Sequence, residues 1–184
     1  MALLIVGAAA AWSAAAARAD EVRPALGPVT VERGADGSAR VEFQASQLFD
    51  QAARDAIESG VTATVDVVWE VEHPRTLWFN EVLDHDRETR TLRYDNLTKR
   101  YHIDSVPPRD DGQRETSSFE DAERWLGAVD APVRADLSSG GEKLVRVRLS
   151  CDSRDGTLPL GFEKLLFFLP GWGFDTGWVS LALP

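Results

Sequence analysis

Between Val61 and Glu72 the chain alternates apolar and polar residues almost without a break. Val61, Ala63, Val65, Val67, Trp69 and Val71 fall on one side. Thr62, Thr64, Asp66, Glu70 and Glu72 fall on the other, with Val68 the exception. A period of two puts the first set on a core and the second in water, the pattern of an antiparallel strand with one solvated face. Pro74 has no N–H to give to a ladder, so a central strand ends before it.

Shorter alternating runs predict more strands. Val29–Glu32 and Ala39–Phe43 flank a Gly/Asp turn and read as a hairpin. Trp78–Asp84 reads as a strand. Thr89–Tyr94 and Arg100–Val106 flank the polar turn at 95–99 and form a second hairpin, with Leu92, Tyr94, Tyr101 and Ile103 facing inward. Ala131–Leu137 and Lys143–Asp152 lie around the turn Ser138-Ser139-Gly140-Gly141. The apolar, aromatic tail Leu158–Pro184 ends in a closing strand, Trp178–Leu183.

Two segments follow the helical period instead. Over Ser46–Gly60, Phe49, Ala52, Ala53 and Ala56 recur at helical spacing, and Gly60 stands where a left-handed C-cap belongs. Ser118 is placed to N-cap a second helix, with Ala122, Trp125 and Leu126 on its apolar face and Gly127 at its end. Residues 107–117 read as an exposed loop. The order is not β-α-β, which argues against a parallel α/β fold. The expected class is mainly β: an antiparallel β-sandwich or partly closed barrel of eight to ten short strands with two short helices.

Composition then narrows the function. The chain has 184 residues, 43% hydrophobic and 27% charged, enough for one globular β-rich domain, expected over residues 20–184. Its net charge of −10 repels phosphate backbones, so nucleic acid is not an expected partner. Residues 3–17 are an uncharged apolar run followed by Ala17-Arg18-Ala19, an A-x-A pattern, and the acidic pair Asp20-Glu21. That reads as a cleaved signal peptide over residues 1–19 and an exported, periplasmic protein, although no Lys or Arg precedes the run. An uncleaved amino-terminal anchor is the alternative.

Candidate chemistry is sparse. The single cysteine, Cys151, continues an apolar strand face and reads as a small buried hydrophobe. Asp84-His85-Asp86 is ligand-like in composition, but on a strand the two carboxylates point one way and the imidazole the other, so a solvated turn is expected. The three histidines lack metal-ligand spacing, and His102 is expected at the surface. No serine-nucleophile motif and no phosphate-binding glycine loop occurs. No catalytic, cofactor or metal residue is assigned.

Several of these segments together resemble domain-of-unknown-function family 4390, small secreted proteobacterial proteins. The likeness is carried by Ala53–Val61, the long strand, Trp78-Phe79-Asn80-Glu81, the hairpin Leu92–Tyr101 with its Tyr94…Leu97-Thr98…Tyr101 pattern, Phe119–Trp125 and Leu144–Leu149. It covers roughly residues 28–184. Asn80 stands where the family usually has Asp, and the tail is more apolar than the family norm. The resemblance implies export and this fold, and brings no catalytic residue. It also implies gene neighbourhoods beside a membrane sensor kinase.

Aromatic residues are the remaining signal. Trp69 and Trp125 fit apolar faces and are expected in the core. Trp172 lies between two glycines after Pro170, and Trp172, Phe174 and Trp78 are the candidate partner-binding residues; packing in a core or at a membrane interface is the competing reading. The function expected is a non-catalytic binding or protein-interaction module with an envelope or inner-membrane partner. An envelope hydrolase with an unusual site, or a membrane-tethered structural domain, are the other readings.

Overall fold

The computed structural model describes residues 24–34, 39–107, 113–137, 140–151 and 173–183. Eleven strands and two helices follow in the order β1 (Ala25–Leu26), β2 (Thr30–Arg33), β3 (Ala39–Ser46), α1 (Gln51–Glu58), β4 (Ala63–His73), β5 (Glu81–Asp95), β6 (Arg100–Val106), β7 (Arg114–Thr116), α2 (Phe119–Gly127), β8 (Ala128–Val133), β9 (Lys143–Cys151), β10 (Phe174–Asp175) and β11 (Val179–Leu183).

They form two antiparallel sheets, and no barrel closes. In the larger, the order is β10-β9-β4-β5-β6-β7, with β11 beside β9. In the smaller, β3 is central, with β1 and β2 on successive stretches of it and β8 alongside. The small sheet and both helices cover one face of the large sheet, its inner face, and all contribute to one core. Val65, Val67, Trp69 and Val71 of β4 meet Val145, Val147 and Leu149 of β9, Val41 and Phe43 of β3, Ile57 of α1 and Leu126 of α2 there. This is a β-sandwich with helices completing one layer.

Local signals explain the helices. Asp50 N-caps α1 by accepting from the Ala53 N–H at 2.7 Å. Gly60, at φ +101°, ends it, while the Val61 N–H returns to the Ala56 carbonyl. The helix is shorter at its start than its periodicity predicts. Ser46 still belongs to β3, and the N–H groups of Leu48 and Phe49 are taken by Glu123 Oε1 of α2. In α2, Ser118 caps Asp121 N–H and Ala122 and Leu126 are buried as expected, while Trp125, expected in the core, is only partly buried against it.

Several expectations are corrected, among them the exposed loop over 107–117, of which Arg114–Thr116 is strand β7. Trp78–Asp84 and Thr89–Tyr94 are not two strands: β5 is a single strand of 15 residues starting at Glu81, and Trp78 lies in the loop before it. Asp84-His85-Asp86 is therefore strand and not turn. The polar segment stays extended because the 11-residue β4 templates it and Asp66 holds both Arg87 (2.7 Å) and Thr89 (2.6 Å) across the ladder. The strand expected over Ala131–Leu137 lies instead over Ala128–Val133, and the turn at 138–141 does not join a hairpin. β8 starts straight after α2 and pairs with β3, whereas β9 joins the other sheet. Finally, the strand count is eleven among the described residues, and β4 and β5 are long.

Candidate docking surface at the β4–β5 tip

Pro74 ends β4 as its missing N–H requires, and the chain turns back at Glu81. The connection carries Leu77, Trp78 and Phe79, which are 93%, 76% and 86% exposed. Val82, the next apolar residue into β5, is half exposed. Soluble proteins tolerate single exposed apolar residues, but a consecutive Leu-Trp-Phe on a projecting turn is a patch. Each such side chain would gain ~1.5–3 kcal/mol on full burial.

The base of this tip is polar and tightly bonded. β4 and β5 slip register between Val71 and Glu72, and Glu72 is nearly buried there. Its Oε2 accepts from Asn80 Nδ2 at 2.8 Å and its Oε1 from Arg146 Nη1 of β9 at 2.7 Å. Burial alone would raise the Glu72 pKa, but the bonds from Asn80 and Arg146 outweigh it and hold the carboxyl below its ordinary value. The Arg146 guanidinium also lies over the Trp178 ring, 4.5 Å from its centroid. Arg75 pairs with Glu81 across the neck of the turn, and His73 Nδ1 donates to the Glu142 carbonyl at 2.9 Å.

Of the residues singled out in the sequence, Trp78 and Phe174 do not come together. Trp78 is at the tip. Phe174 is on β10, opposite Cys151, which in turn faces Val65 at the far end of β4. Its ring is half-buried and edge-on to Phe49, with centroids 6.2 Å apart. Trp172 falls outside the described residues. Leu77 and Phe79 belong to the surface too, beyond the residues that the sequence singles out. The signal for them was present: three bulky apolar residues in a row, directly after a proline-broken strand, cannot alternate.

Cys151 is buried and unbonded to another sulfur. Asp84 and Asp86 point to the inner face and His85 to the outer, as strand geometry demands. Asp84 Oδ2 accepts from the N–H of Arg134 (2.6 Å) and of Ala135, which anchors the β8–β9 connection. Among the described residues no cluster of His, Cys, Asp and Glu could hold a metal ion, and no helix is long and apolar enough to cross a membrane. An open groove of about 470 Å³ lies along the small sheet, lined by residues including Pro28, Glu42, Phe43 and Asp130; Asp130 is paired with Arg40 at 2.6 Å.

The architecture is thus a small antiparallel β-sandwich with a projecting, polar-based apolar hairpin tip. Residues 24–182 match the model of the family described as Domain of unknown function (DUF4390), and the chain belongs to that family. No curated protein and no solved structure matches it.

Proposed function

We propose that this protein is an exported, non-catalytic interaction module of the bacterial envelope that docks on a protein partner through Leu77, Trp78 and Phe79. The exposed tip carries the reading. Trp and Phe on a rigid projection are the residue types that dominate binding energy when a partner desolvates them. The acidic surface, with net charge −10, opposes binding to nucleic acid or anionic lipid. Export is supported by the apolar run at 3–17 and the Ala17-Arg18-Ala19 pattern. An inner-membrane protein such as a sensor kinase is the partner class that the family's gene neighbourhoods favour.

Two measurements test it. Chemical cross-linking of intact envelopes should join the wild type to one envelope protein, and the correctly folded Leu77→Ser, Trp78→Ser, Phe79→Ser variant should lose that product. Unchanged capture by the variant removes the tip from the reading. Amino-terminal sequencing of the protein from cells should begin at Asp20; a chain that begins at Met1 in the cytoplasm rejects export.

A further inference from the structure

β11 lies beside β9 at one margin of the large sheet, and among the described residues no strand runs along its other edge. Its sequence, Val179-Ser180-Leu181-Ala182-Leu183, holds no charge and no proline. The other edge strands of three residues or more differ. β2 carries Glu32 and Arg33, β7 carries Arg114 and Glu115, and β8 carries Asp130 and Pro132. Charges and prolines on an edge keep its unpaired N–H and C=O groups from pairing with a second chain. Among the described edge strands of this length, β11 alone has no such guard. Residues along an antiparallel strand turn their N–H and C=O alternately to its two sides, so β11 offers part of its backbone outward.

Its side chains also fall into two uncharged rows. Val179 and Leu181 stand opposite Val147 and Val145 and so share the inner face, and Leu183 is buried on it. Val179 is nevertheless 37% exposed, where the apolar inner face ends at the margin of the sheet. Ser180 and Ala182 lie on the outer face and are exposed.

We propose that β11 pairs with β11 of a second copy of this chain, antiparallel about a two-fold axis at Leu181, so that two large sheets become one. This goes beyond the docking reading and does not depend on it. The strand matches itself. With Leu181 opposite Leu181, Val179 meets Leu183 and Ser180 meets Ala182. Apolar residues then oppose apolar residues on the inner face, and small residues oppose small ones on the outer. No charge meets a like charge, which in a cross-strand pair would be destabilising. A two-fold interface requires a self-complementary patch of this kind. Five residues make a short ladder and a small interface, so the pairing is a reversible equilibrium set by concentration. The net charge of −10 on each copy opposes approach, and physiological salt screens it beyond ~8 Å.

Sedimentation velocity of the protein purified from its host, at physiological ionic strength, is the test. Wild type should pass from monomer to dimer as concentration rises. The double variant Ser180→Lys, Ala182→Lys changes only exposed side chains and sets Lys against Lys, and it should weaken the dimer about tenfold. Ser180→Glu, Ala182→Glu should do the same. An equal mixture of the two variants should dimerise as wild type does, because Lys then meets Glu. The register has its own check, independent of the charged variants. Ser180→Cys mixed with Ala182→Cys should form a disulfide-linked dimer under mild oxidation, and neither should do so alone, since only the mixed pair stands directly opposite. A wild type that stays monomeric at every soluble concentration overturns the proposal. A dimer that both charged variants keep overturns it too, since the contact then lies elsewhere. A photo-cross-linker at Ser180 in the host that joins another protein and never a second copy assigns the edge to that protein and also overturns it. Capture of a partner by the tip is read separately, and its loss leaves β11 pairing standing.

Discussion

Nη1 of Arg90 lies 2.6 Å from the carbonyl oxygen of Leu126, and the same nitrogen reaches the Ala128 carbonyl at 2.7 Å. A strand residue thereby closes the end of a helix. The last carbonyls of α2 have no N–H partners of their own, and they carry the negative end of the helix dipole. Arg90 is buried, and Glu88 balances its charge from the same strand at 2.7 Å. One side chain thus ties β5 to the point where α2 becomes β8.

Arg90→Met should therefore destabilise the protein by about 3–5 kcal/mol, since it leaves buried carbonyls and Glu88 without their donor. Arg90→Lys should recover only part of this, because an ammonium lacks the planar fork that serves α2 and Glu88 together. Urea unfolding followed by circular dichroism checks both. A loss below 1 kcal/mol for the methionine variant contradicts this role.

Gly127 permits the close approach of α2 to β3. A Cβ there would stand 2.1 Å from the Ala45 carbonyl oxygen, and backbone cannot move aside as a side-chain tip can. Gly127→Ala should cost about 1–3 kcal/mol despite the better helix propensity of alanine. An unchanged urea midpoint would show that the two backbones separate freely.

Glu72 should make part of the stability pH-dependent. Its folded pKa is held below the ordinary value of 4.5: burial pushes it up, but Asn80 and Arg146 more than offset this. The sign follows. The contribution is fully present above the unfolded value and is lost as pH falls through the lower folded value. Glu72→Gln should thus be less stable than wild type by about 1–3 kcal/mol at pH 7. The gap should narrow at pH 3. Paired urea titrations at the two pH values measure it, and a gap that widens in acid refutes the assignment.

The tip should be free of structural duty. Leu77→Ser, Trp78→Ser and Phe79→Ser together should leave stability within about 0.5 kcal/mol of wild type, since surface substitutions away from packing have little effect. Differential scanning calorimetry gives the answer directly. A large drop in melting temperature would mean that these side chains pack in a way that their exposure denies.

The most legible parts of the fold were those with one dry and one wet face. β4, the β5–β6 hairpin around 95–99, the end of α1 at Gly60 and both ends of α2 are legible from alternation and caps. The first half of β5 could not, because Asp84, Asp86 and Glu88 face inward toward the β8–β9 connection and so erase the alternation. The partner of β8 was also hidden. Its pairing with β3, beside the close approach of Gly127 to Ala45, joins segments distant in the chain. For the site, the sequence singles out Trp78 but places it in a strand, and singles out Phe174 although its ring turns to Phe49. An aromatic residue in an irregular segment says nothing about which side of the chain it will occupy.

The bonds at the neck of the tip bear on recognition as well as on folding. Arg75–Glu81 and Asn80–Glu72 close the turn at both ends, and Glu72 is itself held by Arg146. Ordering a free backbone costs ~1–2 kcal/mol per residue. Here that entropy is lost during folding, before any encounter, so a partner meets a preorganised wedge and not a loop it must first arrange. Association at such a surface should be limited by desolvation and orientation, with little further loss of backbone freedom.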